Sequence, residues 1–267
     1  MYDLNLSIIT VNLNNLTGLQ KTMKSVFEQT FTNYEYIIID GGSTDGSKEW
    51  IAQHADKLAY WVSEKDGGVF NAQNKGIVKS KGEYLLFLNS GDYFYTVEAI
   101  GALIQNSNNI DIIYGNIMVD EGSRSWIKSY PEELSFMDFL EDTLPHPASL
   151  IKSNLFKKLG LYNEHNKIVS DWEFFMKAIC LHNANYKYVN EVITIFNTVG
   201  ISSLLSNANL IQKEKDYVLS NFYKAFLNDY KQYAECKKEL LKIKTSRIHK
   251  AAAKLAALNF IKKIRLY

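Results

Sequence analysis

Long apolar runs are missing from this 267-residue sequence: nowhere do about 18 uncharged apolar residues follow one another, the length a helix needs to cross a bilayer. Met1 leads directly into the strand-like residues 6–11 without a basic-then-apolar leader, so the sequence reads as cytoplasmic. Cysteine is scarce. Cys180 and Cys236 stand far apart and lack metal-ligand spacing, which excludes a disulfide framework and a cysteine-based zinc site and fits a reducing compartment. Of the three prolines, Pro145 and Pro147 flank a single histidine, His146. Net charge is also nearly absent, at +1, but it is segregated. Residues 237–267 hold ten Lys or Arg against one acid, Glu239, which leaves residues 1–236 at net −8. A body of that sign repels phosphate backbones, so no nucleic-acid partner is expected.

What is present suffices for a large core: 46% of residues are hydrophobic and 13% aromatic. Apolar runs alternate with helical periodicities. Residues 6–11, 34–39, 58–63 and 84–88 read as strands, and 17–29, 47–54 and 71–79 as the helices between them, with Leu19, Met23, Val26 and Phe27 spaced to form one helical face. That alternation predicts βαβ units, hence an α/β fold on a mainly parallel sheet. After a helix at 97–106, strands at 110–114, 116–120 and 125–129 predict a hairpin that makes the sheet mixed. A short helix at 136–140 leads to the Pro-flanked extended loop of His146. Next come a strand at 149–151 and a helix at 154–159 capped by Ser153 and ended by Gly160. Ser170 is expected to cap a helix whose apolar face holds Trp172, Phe175 and Ile179, ahead of strands at 186–189 and 192–196. From residue 207 the pattern is helical to the end. A first helix covers 207–227, and a basic amphipathic stretch follows with Leu240, Leu241, Ile248, Leu255, Leu258 and Ile261 set among lysines.

The chemistry-bearing residues fall where strands stop. Asp40, Asp66 and Asp92 each follow a predicted strand and stand beside glycines. Ligands of open α/β sheets bind outside such carboxyl ends. Singly, each aspartate reads equally well as a turn former. Together on one rim they predict a pocket for phosphate and a hard cation, which prefers carboxylate oxygens. Asp171 lies in the first turn of its helix, a position a plain helix-capping role explains as well. The basic C-terminal stretch fits an anionic lipid surface, a solvated appendage or a dimer contact.

The ordered set Ser7-Ile8-Ile9-Thr10-Val11-Asn12, Ile39-Asp40-Gly41-Gly42-Ser43-Thr44-Asp45-Gly46-Ser47, Ser63-Glu64-Lys65-Asp66-Gly67-Gly68, Asn71-Ala72-Gln73-Asn74-Lys75-Gly76, Asn89-Ser90-Gly91-Asp92 and Ser170-Asp171-Trp172-Glu173-Phe174 resembles the family 2 glycosyltransferases of bacterial surface-polysaccharide synthesis, especially the O-antigen and capsule branch. The resemblance covers about residues 5–205. It implies a GT-A fold, Rossmann-like, with residues 1–115 as the nucleotide-sugar half and 116–205 as the acceptor half of one domain, 1–205, followed by a helical extension, 206–267.

It also implies a metal-dependent hexosyltransferase that inverts the anomeric centre, using Mn²⁺ or Mg²⁺ and a nucleotide sugar, UDP-linked by preference. Asp40 would then bind the base, with Thr10 and Asn12 nearby, and Asp66, Asn74 and Lys75 would lie by the ribose and diphosphate. Gly42, Ser43, Asn89, Ser90 and Gly91 would also contact the nucleotide sugar, and Asp92 would hold the metal. Asp171 would be the catalytic base, with His146, Trp172 and Glu173 lining the acceptor or donor-sugar pocket. The segment 197–203 resembles the family's late Gly-rich stretch that closes on the diphosphate. Gly91 departs from the pattern, since many relatives carry an aspartate there. The implied acceptor is a saccharide on undecaprenyl diphosphate, with peripheral contact at the inner face of the cytoplasmic membrane through the basic helices. The alternatives are a sugar-phosphate nucleotidyltransferase, against which the Gly-free and Arg-free Asn12–Asn15 loop counts, and an inactive sugar-nucleotide-binding protein.

Overall fold

The computed structural model describes residues 6–200 and 203–246. Strand β1 (Leu6–Asn12), buried along its whole length, has β2 (Tyr34–Asp40) on one side and β4 (Tyr84–Phe87) on the other, and β3 (Tyr60–Ser63) extends the row beyond β2. All four are parallel. Helices α1 (Leu16–Phe27), α2 (Ser47–Gln53) and α3 (Val69–Lys79) make the crossovers between them. Because the strands run the same way, Asn12, Asp40, Ser63 and the loop after β4 all arrive at one rim. Gly76 on α3 is what lets that helix lie close to the sheet. A Cβ there would stand 2.5 Å from the Ile9 side chain.

The rest of the sheet is mixed, as the hairpin predicts. After β5 (Tyr93–Phe94) and α4 (Ala99–Ile104), strand β6 (Ile112–Asp120) pairs with the returning β7 (Ser125–Lys128). Helix α5 (Phe136–Glu141) precedes β8 (Ser149–Lys152), which is antiparallel to both β4 and β6. Helices α6 (Ser153–Leu159) and α7 (Ser170–Met176) lead to β9 (Tyr186–Asn197), parallel to β6 and antiparallel to β5. The order across the sheet is β3-β2-β1-β4-β8-β6-β9-β5, with β7 on β6.

Several local expectations are corrected. The two strands expected at 186–189 and 192–196 are one, because register shifts against β6 between Tyr114 and Ile117 absorb the polar Asn190-Glu191. Ser153 and Ser170 open their helices instead of capping them. The residues ahead of them are Lys152 and Val169, and the Ser170 hydroxyl donates to the Asn163 carbonyl. His146 starts a single 3₁₀ turn, His146–Ala148, closed by the Ala148 N–H on the Pro145 carbonyl at 2.9 Å, and so is not in an extended loop.

The chain divides into two compact units, Met1–Lys215 and Asp216–Tyr267. The first holds the sheet, its flanking helices and the start of α8 (Ala208–Phe222). The second holds the remainder of α8 and α9 (Lys224–Thr245), so the helix expected over 207–227 breaks at Tyr223. No residue of α9 is buried, and Leu240 and Leu241 stand 50% and 63% exposed. Ile248, Leu255, Leu258 and Ile261 lie outside the described residues.

Candidate active site

At the strand rim opens a cavity of about 440 Å³. Val11, Asn12 and Leu13 from the end of β1, residues 66–72 at the start of α3, and Asn89 and Ser90 after β4 form three of its sides. Glu164, Asn166, Lys167 and Gly200 close the fourth. Its walls combine apolar side chains such as Phe70 with amides, the Asp66 and Glu164 carboxylates and the Lys167 ammonium, a mix that suits a flat base joined to a polar tail. Of the expected nucleotide contacts, Asn12, Asp66, Asn89 and Ser90 line this cavity.

Asp40 does not face it. Its carboxylate is completely buried and accepts from the Asn12 amide at 2.8 Å, the Ser43 N–H at 2.9 Å, the Ser43 hydroxyl at 2.5 Å and the Ser63 hydroxyl at 2.6 Å. Burial works against its charge, but the hydrogen bonds from Ser43, Ser63 and Asn12 outweigh that and hold the carboxyl below its ordinary range. Asp40 therefore orients Asn12 and Ser43, and the Asn12 side-chain Oδ1 remains buried without a partner. Thr10 lies deeper still, fully buried with its hydroxyl on the Leu88 carbonyl at 2.7 Å. Gly42 adopts a φ of +80°, the left-handed turn that brings Ser43 back to Asp40.

Asn74 and Lys75 also stand outside the lining. The Asn74 amide is spent on the Tyr162 backbone in both directions and on Glu164 at 2.8 Å, and Lys75 pairs with Glu64 at 2.7 Å. Asn74 thus pins the loop that supplies Glu164. The amides of Asn74 and Asn71 hold the Glu164 carboxyl below its usual range, so it brings a second negative charge to the wall beside Asp66.

The loop after β4 is tied to α1. Thr22 accepts the Gly91 N–H at 3.0 Å and donates to the Asp92 carbonyl at 2.7 Å, while the Asn15 amide donates to the Ser90 carbonyl at 3.0 Å. Gly91 has φ +107°, a conformation that side chains rarely adopt, which accounts for glycine where the resemblance anticipates aspartate. Asp92 is 6% exposed and lies behind the lining rather than on it. Burial pushes its carboxyl up to about 7, opposed by the Asn197 N–H at 2.9 Å. A carboxylate so starved of solvation suits a cation, whose charge would restore it to the ionised form. Among the described residues no group of three or more His, Cys, Asp or Glu could hold a metal. The donor set therefore fits a cation that takes one carboxylate from the protein and its other oxygens from a bound phosphate, the usual arrangement for Mg²⁺.

Residues 166–172 divide this cavity from a second of about 270 Å³. Asn166 and Lys167 line the first, and Ile168, Val169, Asp171 and Trp172 line the second. Asp171 is half-buried in the first turn of α7, and burial pushes its carboxyl up to about 6 against the opposing backbone N–H groups and Lys215. His146 lines the same cavity, stacked on Phe87 at 4.7 Å with its Nε2 2.8 Å from the Tyr162 hydroxyl. Burial lowers it to about 3, so it is neutral at working pH, with a proton on one ring nitrogen only. Trp172 is 2% exposed and spends its indole N–H on the Phe139 carbonyl. Glu173 does not line the cavity; its carboxylate accepts from the Asn163 and Asn166 amides.

The expected convergence of Asp40, Asp66 and Asp92 is thus corrected. Their loops do meet at one rim, but only Asp66 lines the cavity: the Asp40 carboxylate is taken up by Asn12, Ser43 and Ser63, and Asp92 lies behind the lining with one carboxylate oxygen on the Asn197 N–H. Residues that sequence reasoning passed over take their place: Asn71, Glu164, Asn166 and Lys167 in the first cavity, and Lys128, Asp142 and Lys215 in the second. The sequence signals for them are Asn71 at the head of the Asn71-to-Gly76 motif and the Tyr162-Asn163-Glu164-His165-Asn166 polar run between two helices.

Residues 7–171 match the sequence pattern of Glycosyl transferase family 2. The uncharacterized glycosyltransferase Rv1514c of Mycobacterium tuberculosis H37Rv is 32% identical over 203 residues, 74% of this chain and 76% of its own length. The PGL/p-HBAD biosynthesis glycosyltransferase Rv2957 of the same strain is 27% identical over 200 residues, 73% of this chain and 77% of its own. Among solved structures, S. aureus TarS 1–349 in complex with UDP superposes with a TM-score of 0.59 at 20% identity, a likeness of the GT-A fold. That match covers 73% of this chain and 60% of the TarS chain.

Proposed function

The chain belongs to glycosyl transferase family 2, and from that premise we propose that it inverts the anomeric centre of a nucleotide sugar, UDP-linked by preference, with Asp171 as the base. The observation that carries this reading is the position of Asp171. Its partly desolvated carboxylate lines a second cavity separated from the nucleotide-sized one by a few residues of chain. Membership removes the nucleotidyltransferase alternative.

The base and ribose would lie against Phe70, Val11 and the Asn12, Asn71 and Asn89 amides, with the diphosphate toward Ser90 and Lys167. Asp40 and Ser43 act one step back by fixing Asn12. The acceptor hydroxyl would enter the second cavity, lose its proton to Asp171 and attack C1 from the face opposite the departing diphosphate, which inverts the centre. Mn²⁺ or Mg²⁺, held by Asp92 and the donor's own phosphates, would supply neutralisation of the charge on the leaving group. His146 shapes the acceptor cavity as a neutral aromatic wall. TarS is solved with UDP, which supports a UDP-sugar donor, and Rv2957 is named for PGL/p-HBAD biosynthesis; the acceptor in this reading is a lipid-linked saccharide in the making of a bacterial surface polymer. No helix of the described residues is long and apolar enough to cross a membrane. In this reading the basic C-terminal residues 237–267 would make peripheral contact with the surface that carries the acceptor.

The test is nucleotide release from a panel of UDP-, GDP- and dTDP-sugars with Mn²⁺ or Mg²⁺, beside EDTA and Asp92→Ala controls. Metal-dependent release from one donor, abolished in Asp171→Asn with nucleotide binding kept, is the expected result. Full activity of Asp171→Asn removes the residue from the base role. An absence of any nucleotide binding would leave the inactive-protein reading standing.

A further inference from the structure

The segment that separates the two cavities is held from outside the region the family pattern matches. Glu214, near the start of α8 and 9% exposed, accepts three consecutive backbone N–H groups with one carboxylate. Lys167 donates to Oε1 at 2.7 Å, and Ile168 and Val169 donate to Oε2 at 3.1 and 3.3 Å. Charge-assisted bonds of this kind are about twice as strong as neutral ones, and three of them on adjacent residues fix both the segment and the helix turn that holds it. The next residue is Lys215. Its ammonium sits 5.0 Å from the centre of the Trp172 ring, beside Asp171 in sequence, and it lines the cavity that Asp171 lines.

The other charges facing this cavity are accounted for. Lys128 of β7 pairs with Asp142 at 2.6 Å, Glu141 ends α5 with most of its surface in solvent, His146 is neutral, and Tyr162, packed behind Asp171, keeps its proton. Lys215 takes part in none of the ion pairs among the described residues. Its charge acts on Asp142, which Lys128 already pairs, and on Asp171.

We propose that Lys215 is a positioning residue of the transfer reaction, held in place by the grip of Glu214 on residues 167–169 so that its ammonium keeps the Asp171 carboxylate ionised for proton removal. The proposal rests on the reading of Asp171 as the base. Two opposing effects agree with it: burial raises the Asp171 carboxyl and lowers the Lys215 ammonium, and each charge offsets part of the other's shift. Residues 208–215, the start of α8, are thereby part of the active site, although the family pattern stops at residue 171.

The experiment is a carbon-13 carboxyl titration of the full-length protein labelled at aspartate, with the Asp171 signal assigned from Asp171→Asn. It is run on wild type, Lys215→Met, Lys215→Gln and Lys215→Arg, and needs no substrate. In wild type the signal titrates near 6. In Lys215→Met and Lys215→Gln the midpoint moves up by about half a unit to one unit, and Lys215→Arg restores it. With the donor identified by the panel, nucleotide release by Lys215→Met at pH 6 drops about two- to fivefold and matches wild type above pH 8. An unmoved midpoint in both neutral variants, or an arginine variant shifted as far as they are, overturns the proposal. Those results leave Asp171 as the base untouched, whereas a fully active Asp171→Asn protein fails the base reading by itself.

Discussion

A carboxyl that burial raises to about 6 is a competent base only above that pH, so the rate of transfer should fall as pH drops through 6 on the acidic side. The same shift makes a stability prediction whose sign is opposite to that of a salt-bridged aspartate. The folded-state value exceeds the unfolded value of 3.8, so the protonated form is the one the fold favours. The fold is therefore unpenalised below pH 4 and carries the full cost of the charge above pH 7. Asp171→Asn should lower turnover at least about 100-fold. It should also raise stability at pH 8 by about 1–2 kcal/mol, discounted for partial exposure, with no gain at pH 4. Thermal melts at the two pH values check this, and an equal effect at both would remove burial as the cause of the shift. Gly91 makes a converse case. Restoring the aspartate anticipated by the resemblance, Gly91→Asp, places a side chain at φ +107° and 3.3 Å from the Asn15 amide. The expected result is a loss of about 1–3 kcal/mol with no gain in Mn²⁺ affinity, read by chemical denaturation and metal titration. Tighter metal binding in a stable variant would show that the loop accommodates a second carboxylate.

At the level of elements, close approach of α3 to β1 is what places residues 66–72 over the rim, and Gly76 permits it. Gly76→Ala would drive a methyl to 2.5 Å from the Ile9 side chain, in a strand buried from end to end. Overpacking of this kind costs about 1–3 kcal/mol. Because α3 opens one wall of the nucleotide cavity, UDP affinity should weaken together with the melting temperature. A variant of unchanged stability would mean that the helix shifts freely and the rim is not set by this contact. These elements were legible in the sequence because β1, β2 and β4 are short apolar runs buried along nearly their whole length and the crossover helices carry an apolar face. The rim followed directly from strand direction. Which rim residues face the cavity did not follow: Asp40 is the last residue of β2 and Asp66 stands three residues past the end of β3, and only the three-dimensional placement of Ser43, Ser63 and Asn12 turns Asp40 inward. Helix starts were misjudged for a related reason. Ser170 looks like a cap by type, but its hydroxyl is taken by the Asn163 carbonyl seven residues earlier. Glu214 and Lys215 carried no signal at all, since they reach the site across about forty residues and lie in a stretch whose periodicity reads as a plain amphipathic helix.

Across the whole chain the dominant asymmetry is electrostatic, and composition alone reveals it. Ten of the 30 basic residues fall in positions 237–267, beside a body of net −8, while exposed apolar side chains, Leu240, Leu241 and Ile243, interleave with Lys237, Lys238, Lys242 and Lys244 near the end of α9. Lys and Arg near an anionic bilayer contribute about 1 kcal/mol each, and the attraction falls off within a Debye length of about 8 Å at physiological salt. A segment of net +9 is thus enough to hold a protein at such a surface even after the −8 body is repelled from it, provided the body stands farther from the membrane than the screening distance. The full chain should therefore co-sediment with vesicles containing phosphatidylglycerol, and not with neutral phosphatidylcholine vesicles. Binding should weaken severalfold between about 0.05 and 0.5 M salt as the screening length shortens. A chain ending at residue 236 should stay in the supernatant with each vesicle type while retaining its melting temperature and UDP affinity. Equal sedimentation of the two chains would rule out the segment as the anchor, and salt-insensitive binding would move the cause from its charge to its leucines and isoleucines. If binding follows charge, the lipid-linked acceptor is concentrated where the protein sits, and transfer to it should lose rate with the tail while donor hydrolysis in solution does not.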